Sequence, residues 1–278
     1  MSKVEIREIG KYWSVNSDGF LVNDHKEKEL SSETQKIISI LKKEIFEQIP
    51  YIHSIYLGGS YLTESVSEFS DINFMVLIDN LPSWYAPHYD VEAHQVSDDF
   101  EIKIQDITKN NLNIDLKFNI RIENPSFFKY DLLCGPFTNK CVWGTDLSIS
   151  KLDFNLIHSG ILDGLESEDH QYLRKSLNEI LLFLEYIPDN QIFIIENKIR
   201  SYLKLLLRCC FNTVCKDLKL WTRDLYYCYY FFSKQNPDLE INVKNILDLF
   251  LNLGRSSSEI KIVLLESEKL IEHIILNS

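Results

Sequence analysis

Two apolar runs, His53 to Leu57 and Ile72 to Ile78, read as buried strands on either side of Gly58-Gly59-Ser60 and a polar stretch. This pairing of strand, glycine turn and strand constrains the chain more than any other feature. A Gly-Gly-Ser turn after a strand leaves its backbone open to close approach, because no Cβ stands over the first two residues. At the head of the second strand Asp71 and Asn73 are two residues apart, so they share one face of it.

The surrounding sequence divides into a strand-rich first half and a helical second half. A turn at Ser17-Asp18-Gly19 precedes a helix with Ile37, Ile38, Leu41, Ile45 and Ile49 at helical spacing, ended by Pro50. Ser32 and Gln35 suggest its capping box. Residues 81–94 read as a loop with two prolines. Phe100, Ile102 and Ile104 alternate with polar residues, as do Ile114, Leu116, Phe118 and Ile120 after a turn near Lys109, so both segments predict strands. On the second of these, Asp115, Lys117 and Asn119 occupy the face opposite the apolar residues. Helices follow over 170–186, 191–210, 217–232, 242–253 and 257–276, with breaks at Pro188 and Asn236-Pro237. The expected fold is α+β, a mixed-sheet domain over 1–150 followed by a helical bundle domain over 151–278.

Composition bounds the partners. The chain has 29 basic and 41 acidic residues and a net charge of −12. The first 150 residues carry 14 basic and 23 acidic residues, the remainder 15 and 18. No basic run is present of the kind that grips a nucleic-acid backbone, which disfavours nucleic acid without excluding a local basic patch. No apolar run approaches the ~20 residues of a membrane span, and the opening residues lack the apolar core of a signal peptide. The six cysteines form no CxxC pair and no histidine-assisted zinc spacing, so they are expected to be reduced fillers in a cytoplasmic protein. The aromatic run Tyr226–Phe232 reads first as core and second as a stacking face for a ring.

The chemistry lies in the stretch GGSYLTESVSEFSDINFMV, Gly58 to Val76. Phosphoryl and nucleotidyl transfer need backbone N–H groups around phosphate oxygens and a few oxygen ligands for Mg²⁺. Glycine turn and acidic strand together resemble the signature of the DNA polymerase β-like nucleotidyltransferase superfamily. The later pieces VWGTDL (142–147) and IRSYLKLLLR with LWTRDLYYCYYFF resemble bacterial members, with a distant similarity to aminoglycoside adenylyltransferases. The resemblance implies Gly59 and Ser60 as the phosphate cradle, Asp71, Asn73 and Asp115 as the metal-binding and catalytic positions, and Arg200, Lys204 and Arg223 as nucleotide-binding cations. It also implies Mg²⁺ as cofactor, and transfer of AMP from ATP to a hydroxyl of a small acceptor such as an aminoglycoside.

Each signal has a plainer alternative. A Gly-Gly-Ser turn serves many strand ends, Asp115 could be a solvated edge residue, and the three cations could be exposed helix charges. The departure from the superfamily pattern is Asn73, where an acidic residue is the rule. An amide oxygen can ligate a metal but brings no charge. Two origins fit: a member that has lost a ligand, or an Asp→Asn replacement that traps a substrate complex. Accordingly three functions stand open: a nucleotidyltransferase weakened at Asn73, a nucleotide-binding protein of the same fold without turnover, and a toxin-like transferase acting on tRNA or protein.

Overall fold

The computed structural model describes residues 6, 8, 10–24, 27–48, 51–63, 70–79, 102–107, 109, 110, 117–130, 135–156 and 170–277. They form a mixed α+β structure of two compact units, residues 16–153 and residues 154–278 together with 1–15.

The first unit is organised by one four-stranded sheet. Its strands are β3 (Ile52–Gly58), β4 (Ile72–Ile78), β5 (Phe118–Glu123) and β6 (Lys140–Gly144), in the order β5-β4-β3-β6. Strands β3 and β4 are antiparallel, as are β3 and β6, whereas β4 and β5 are parallel. A short antiparallel ribbon of β2 (Phe20–Val22) and β7 (Lys151–Asp153) brings together the two ends of the unit.

Alternation along the strands gives the sheet two different faces. Ile55, Leu57, Ile72, Phe74, Val76, Phe118, Ile120 and Ile122 form one buried layer with Ile37, Ile38 and Leu41 of helix α1 (Ser32–Glu44) and with Ile45 and Phe46. On the opposite face Tyr56, Met75 and Leu77 pack against Phe128 of the short helix Pro125–Tyr130. Strand β4 is thus apolar on both sides beyond Asn73, which explains its unbroken hydrophobic run.

Several sequence expectations are corrected by packing. The cap of α1 is Ser31, whose Oγ accepts from the Thr34 N–H at 3.1 Å, one residue earlier than the Ser32–Gln35 pattern suggests. Gln35 instead donates through Nε2 to the Leu30 carbonyl at 2.7 Å. Residues 102–107 are helical rather than a strand. There Ile104 is buried and Ile107 packs on the same core, whereas Ile102 is exposed. An i, i+3 pair on one side satisfies a helix better than the 102/104 alternation satisfies a strand. The expected strand around Ile114 begins, among the described residues, at Phe118 and runs on to Glu123. The expected loop over 81–94 lies outside the described residues.

Tyr56 fastens the segment after β6 to the sheet. Its ring is fully buried and its hydroxyl donates to the Thr145 carbonyl at 3.1 Å while accepting from the Leu147 N–H at 2.6 Å. Thr145 also donates its N–H to the His53 carbonyl at 3.4 Å. These bonds account structurally for the GTDL portion of the sequence.

In the second unit helices dominate: His170–Tyr186, Glu196–Leu218, Leu225–Gln235, Glu240–Leu251, Ser257–Glu266 and Glu268–Asn277. Glu196–Leu218 is the central one, burying Ile199, Tyr202, Leu203, Leu206, Leu207 and Phe211. It overruns the expected end at 210 and stops at Lys219, which takes a left-handed conformation with φ 50°. The next helix therefore starts at Leu225 rather than 217. Between them β8 (Leu220–Trp221) pairs with β1 (Trp13–Ser14), and the two tryptophan rings lie 5.1 Å apart. The single helix expected over 257–276 is broken at Ser267. That residue is buried, donates to the Leu264 carbonyl at 2.6 Å and accepts from the Tyr202 hydroxyl at 2.7 Å. Cys209, Cys210, Cys215 and Cys228 are buried and form no disulfide among the described residues, and burial raises the Cys215 thiol to about 11 and that of Cys228 to about 12. Among the described residues no helix is long and apolar enough to cross a membrane.

Burial raises the Tyr56 phenol to about 12, with the Leu147 hydrogen bond opposing the shift. A phenol that ionises near 10 when unfolded and about 12 when folded stabilises fully below pH 10, and its contribution is lost as pH rises through 12. Tyr56→Phe should cost about 1–2 kcal/mol at neutral pH. The gap in urea midpoint between the two proteins is expected to narrow from pH 10 upward; a constant gap would contradict this account.

Candidate functional site

The site is laid out by strand register. On the face of the sheet that carries Tyr56 and Met75, Gly58 stands opposite Asn73 and Asn73 is in register with Asn119. The next row inward is Tyr56, Met75 and Arg121, and the third is Ser54, Leu77 and Glu123. Apolar packing claims the inner rows, so polar groups at the strand ends are left for chemistry. Arg121 and Glu123 form an ion pair within the two inner rows.

Gly58 and Gly59 are demanded by this layout. A Cβ on Gly58 would lie 2.2 Å from Oδ1 of Asn139, a buried residue just before β6. Gly59 has φ +71°, and a Cβ there would come within 2.9 Å of the Asn73 Nδ2. The turn after β3 therefore closes directly onto the Asn73 side chain, a contact only glycine permits. Ser60 then opens the short helix Ser60–Thr63, with Leu62 donating its N–H to the Gly59 carbonyl at 3.0 Å.

Asp71 and Asn73 are both half-buried and touch. The Asn73 Nδ2 donates to the Asp71 Oδ1 at 3.1 Å and to the Asp71 carbonyl at 3.2 Å. Asn73 thus turns a donor toward the carboxylate, where a second carboxylate would repel it. Tyr61, just past the turn, has its phenol pushed upward by burial, then by the Glu33 and Asp71 carboxylates.

Of the expected positions, Gly59, Ser60, Asp71 and Asn73 come together at one end of the sheet. Asp115 lies outside the described residues. Among those described no three His, Cys, Asp or Glu residues cluster as a metal site. Among the described residues, the expected ligands that come together are the Asp71 carboxylate and the Asn73 amide. This fits a single Mg²⁺ completed by substrate oxygens and water, and does not by itself fit a two-metal site.

Arg200, Lys204 and Arg223 belong to the other unit. Arg200 is buried: Nε donates to the Glu196 Oε1 at 2.9 Å, another guanidinium nitrogen donates to the Phe250 carbonyl, and the group sits 5.5 Å from the Phe250 ring. The Lys204 ammonium lies over the same ring at 5.6 Å. Arg223 is exposed, and its carbonyl accepts from the Arg208 Nε at 3.3 Å. The aromatic run is part core, part surface. Cys228 and Phe232 are buried, while Tyr226, Tyr227, Tyr229, Tyr230 and Phe231 are half-buried and form ring contacts among themselves.

Asn119 and Asn139 are the neighbours that sequence reading passed over. The alternation that puts Asp115, Lys117 and Asn119 on one face carried a hint of Asn119. Nothing local to Asn139 does, since it reaches Gly58 only through the β3–β6 pairing.

Gly59→Ala is expected to lower stability by about 1–2 kcal/mol from its left-handed backbone alone, read as a shift in urea midpoint. Arg200→Ala should cost about 2–4 kcal/mol by stripping Glu196 and a buried carbonyl of their partner. Arg223→Ala should stay within about 0.5 kcal/mol, and equal losses for the two arginines would refute the distinction.

No family model matches the chain, and no curated protein matches it in sequence. Among solved structures the chain is similar to spectinomycin adenyltransferase AAD(9) from Enterococcus faecialis, crystallised with ATP and spectinomycin. The match covers 88% of this chain and 100% of that one, at 15% identity and a TM-score of 0.45.

Proposed function

We propose that the chain binds a nucleoside triphosphate, ATP, at the end of the sheet and transfers its AMP group to a hydroxyl of a small acceptor. The observation that carries this reading is the closure of the Gly58-Gly59-Ser60 turn onto Asn73, with Asp71 hydrogen-bonded beside it. Such a turn offers backbone N–H groups to phosphate oxygens at the same strand end where a carboxylate stands ready for a cation.

In this reading Gly59 and Ser60 hold the outer phosphates. Asp71, with the amide oxygen of Asn73 and the carboxylate of Asp115, holds Mg²⁺, which when bound neutralises charge on the phosphates. The acceptor oxygen attacks the α-phosphorus in line, forming the new P–O bond as the bond to the bridging oxygen breaks. Pyrophosphate leaves with that electron pair, and the hydroxyl proton passes to Asp115 as general base. Lys204 and Arg223 are proposed as further nucleotide contacts. Arg200, with its guanidinium already bonded to Glu196 and Phe250, is a weaker candidate. The chain's charge of −12 favours a cationic small molecule as acceptor over nucleic acid. Transfer in the cytoplasm to an aminoglycoside-like hydroxyl is the form of the reaction that the sequence resemblance suggests.

A second reading, nucleotide binding without turnover, is favoured by one observation: Asn73 donates its amide to Asp71 where a ligand charge is expected. The two readings separate on one experiment. The protein and its Asn73→Asp variant are incubated with α-labelled ATP, Mg²⁺ and a panel of aminocyclitol and aminoglycoside acceptors. Restoring a ligand charge should raise label transfer by about tenfold or more. ATP binding by both proteins with transfer by neither would favour the second reading. Absence of ATP binding by both would overturn the first and the second together.

A further inference from the structure

Among the described residues the cation nearest the site in strand register is Lys117, and we propose that it is a phosphate-binding residue that lets the triphosphate bind without a metal ion. This inference rests on the reading of the strand end as a triphosphate site.

The argument begins with the distribution of charge. Between Lys43 and Lys103 the sequence contains no lysine or arginine, so the turn, Asp71 and strand β4 supply no cation of their own. A triphosphate at the strand end must find its positive charge on a neighbouring strand or in a bound metal. Strand β6 offers Lys140, in register with Leu57, but its ammonium donates to the Lys28 carbonyl. Arg121 on β5 is paired with Glu123.

Lys117 is placed differently. The Ile72 N–H donates to its carbonyl at 2.8 Å, and Ile72 is in register with Phe118. Extending that parallel register by one residue sets Lys117 beside Asp71, on the face shared by Asn73 and Asn119. Phe118 is buried on the other face, whereas Lys117 and Asn119 are exposed. Among the described residues Lys117 makes no salt bridge.

The described charged groups in this row are therefore the Asp71 carboxylate and the Lys117 ammonium, with the amides of Asn73 and Asn119 beside them. A site built from several carboxylates repels a triphosphate until metal ions have bound. An ammonium on the same face, beside Asp71, offsets part of that repulsion even with the Asp115 carboxylate that the proposed reading adds, so a metal need not bind first. Lysine suits this task because its compact ammonium carries three donors that can follow mobile phosphate oxygens. An amide at Asn73 and an ammonium at Lys117 together place charge compensation on the protein rather than on a metal.

The test is equilibrium dialysis of ATP against the full chain and its Lys117→Met and Lys117→Arg variants, with Mg²⁺ or with EDTA. Inorganic tripolyphosphate serves as competitor. In EDTA the unaltered protein should bind ATP and be competed by tripolyphosphate. Lys117→Met should bind about tenfold more weakly, the scale of one charged hydrogen bond, and Lys117→Arg should stay close to the unaltered protein. Equal binding by Lys117→Met in EDTA would overturn the inference and leave the triphosphate site standing. So would binding by the unaltered protein that appears only with Mg²⁺. No ATP binding in either condition would overturn both. Circular dichroism of the variants, which alter an exposed side chain, checks that the fold is intact.

Discussion

Everything at the site depends on the pairing of β4 with its two neighbours. The antiparallel register with β3 sets Gly58 opposite Asn73, and the parallel register with β5 sets Asn119 on its other side. A slip of one residue in either ladder would turn the polar groups into the α1 layer and send Phe74 or Phe118 outward. Burial of Ile72, Phe74, Val76, Phe118, Ile120 and Ile122 makes that slip costly, because each large side chain returned to water forfeits about 1.5–3 kcal/mol. The apolar layer on one face thus holds the polar row on the other in place.

Position along the strands decides what each residue can do. The inner rows are closed by Tyr56, Met75, Leu77 and Phe128. Beyond them the face meets the glycine turn, where the described row is polar, Asn73 beside Asn119. The two glycines have different reasons to be there. Gly58 yields to a buried side chain from β6's leading end, and Gly59 supplies a left-handed turn. The same glycine pair that a sequence reader takes for a phosphate cradle is also an answer to two steric demands of the fold, and neither role displaces the other.

Asn73 connects the fold to the chemistry. Its amide can donate to Asp71, so the two side chains form a bonded pair instead of a repelling one. Two adjacent carboxylates at that separation would need a cation to coexist. The amide removes that need, and in the proposed reading the same substitution of amide for carboxylate would lower affinity for a cation.

Much of this was legible before any coordinates. The strands read at 53–57 and 72–78, the shared face of Asp71 and Asn73, and the change to helices past residue 150 follow from periodicity and turn chemistry, which act over a few residues. Helix boundaries were less legible. Lys219, Ser267 and the 220–221 strand owe their conformations to partners such as Trp13 and Tyr202, far away in sequence. Phe100, Ile102 and Ile104 alternate like a strand, yet residues 102–107 fold as a helix because Ile104 and Ile107 can reach the α1 layer together. For the site itself, local sequence determined the turn and the Asp71–Asn73 face. Only the tertiary structure decided that Asn119, Asn139 and Lys117 stand in line with them, because strand register is set by long-range packing and leaves no mark within a single strand.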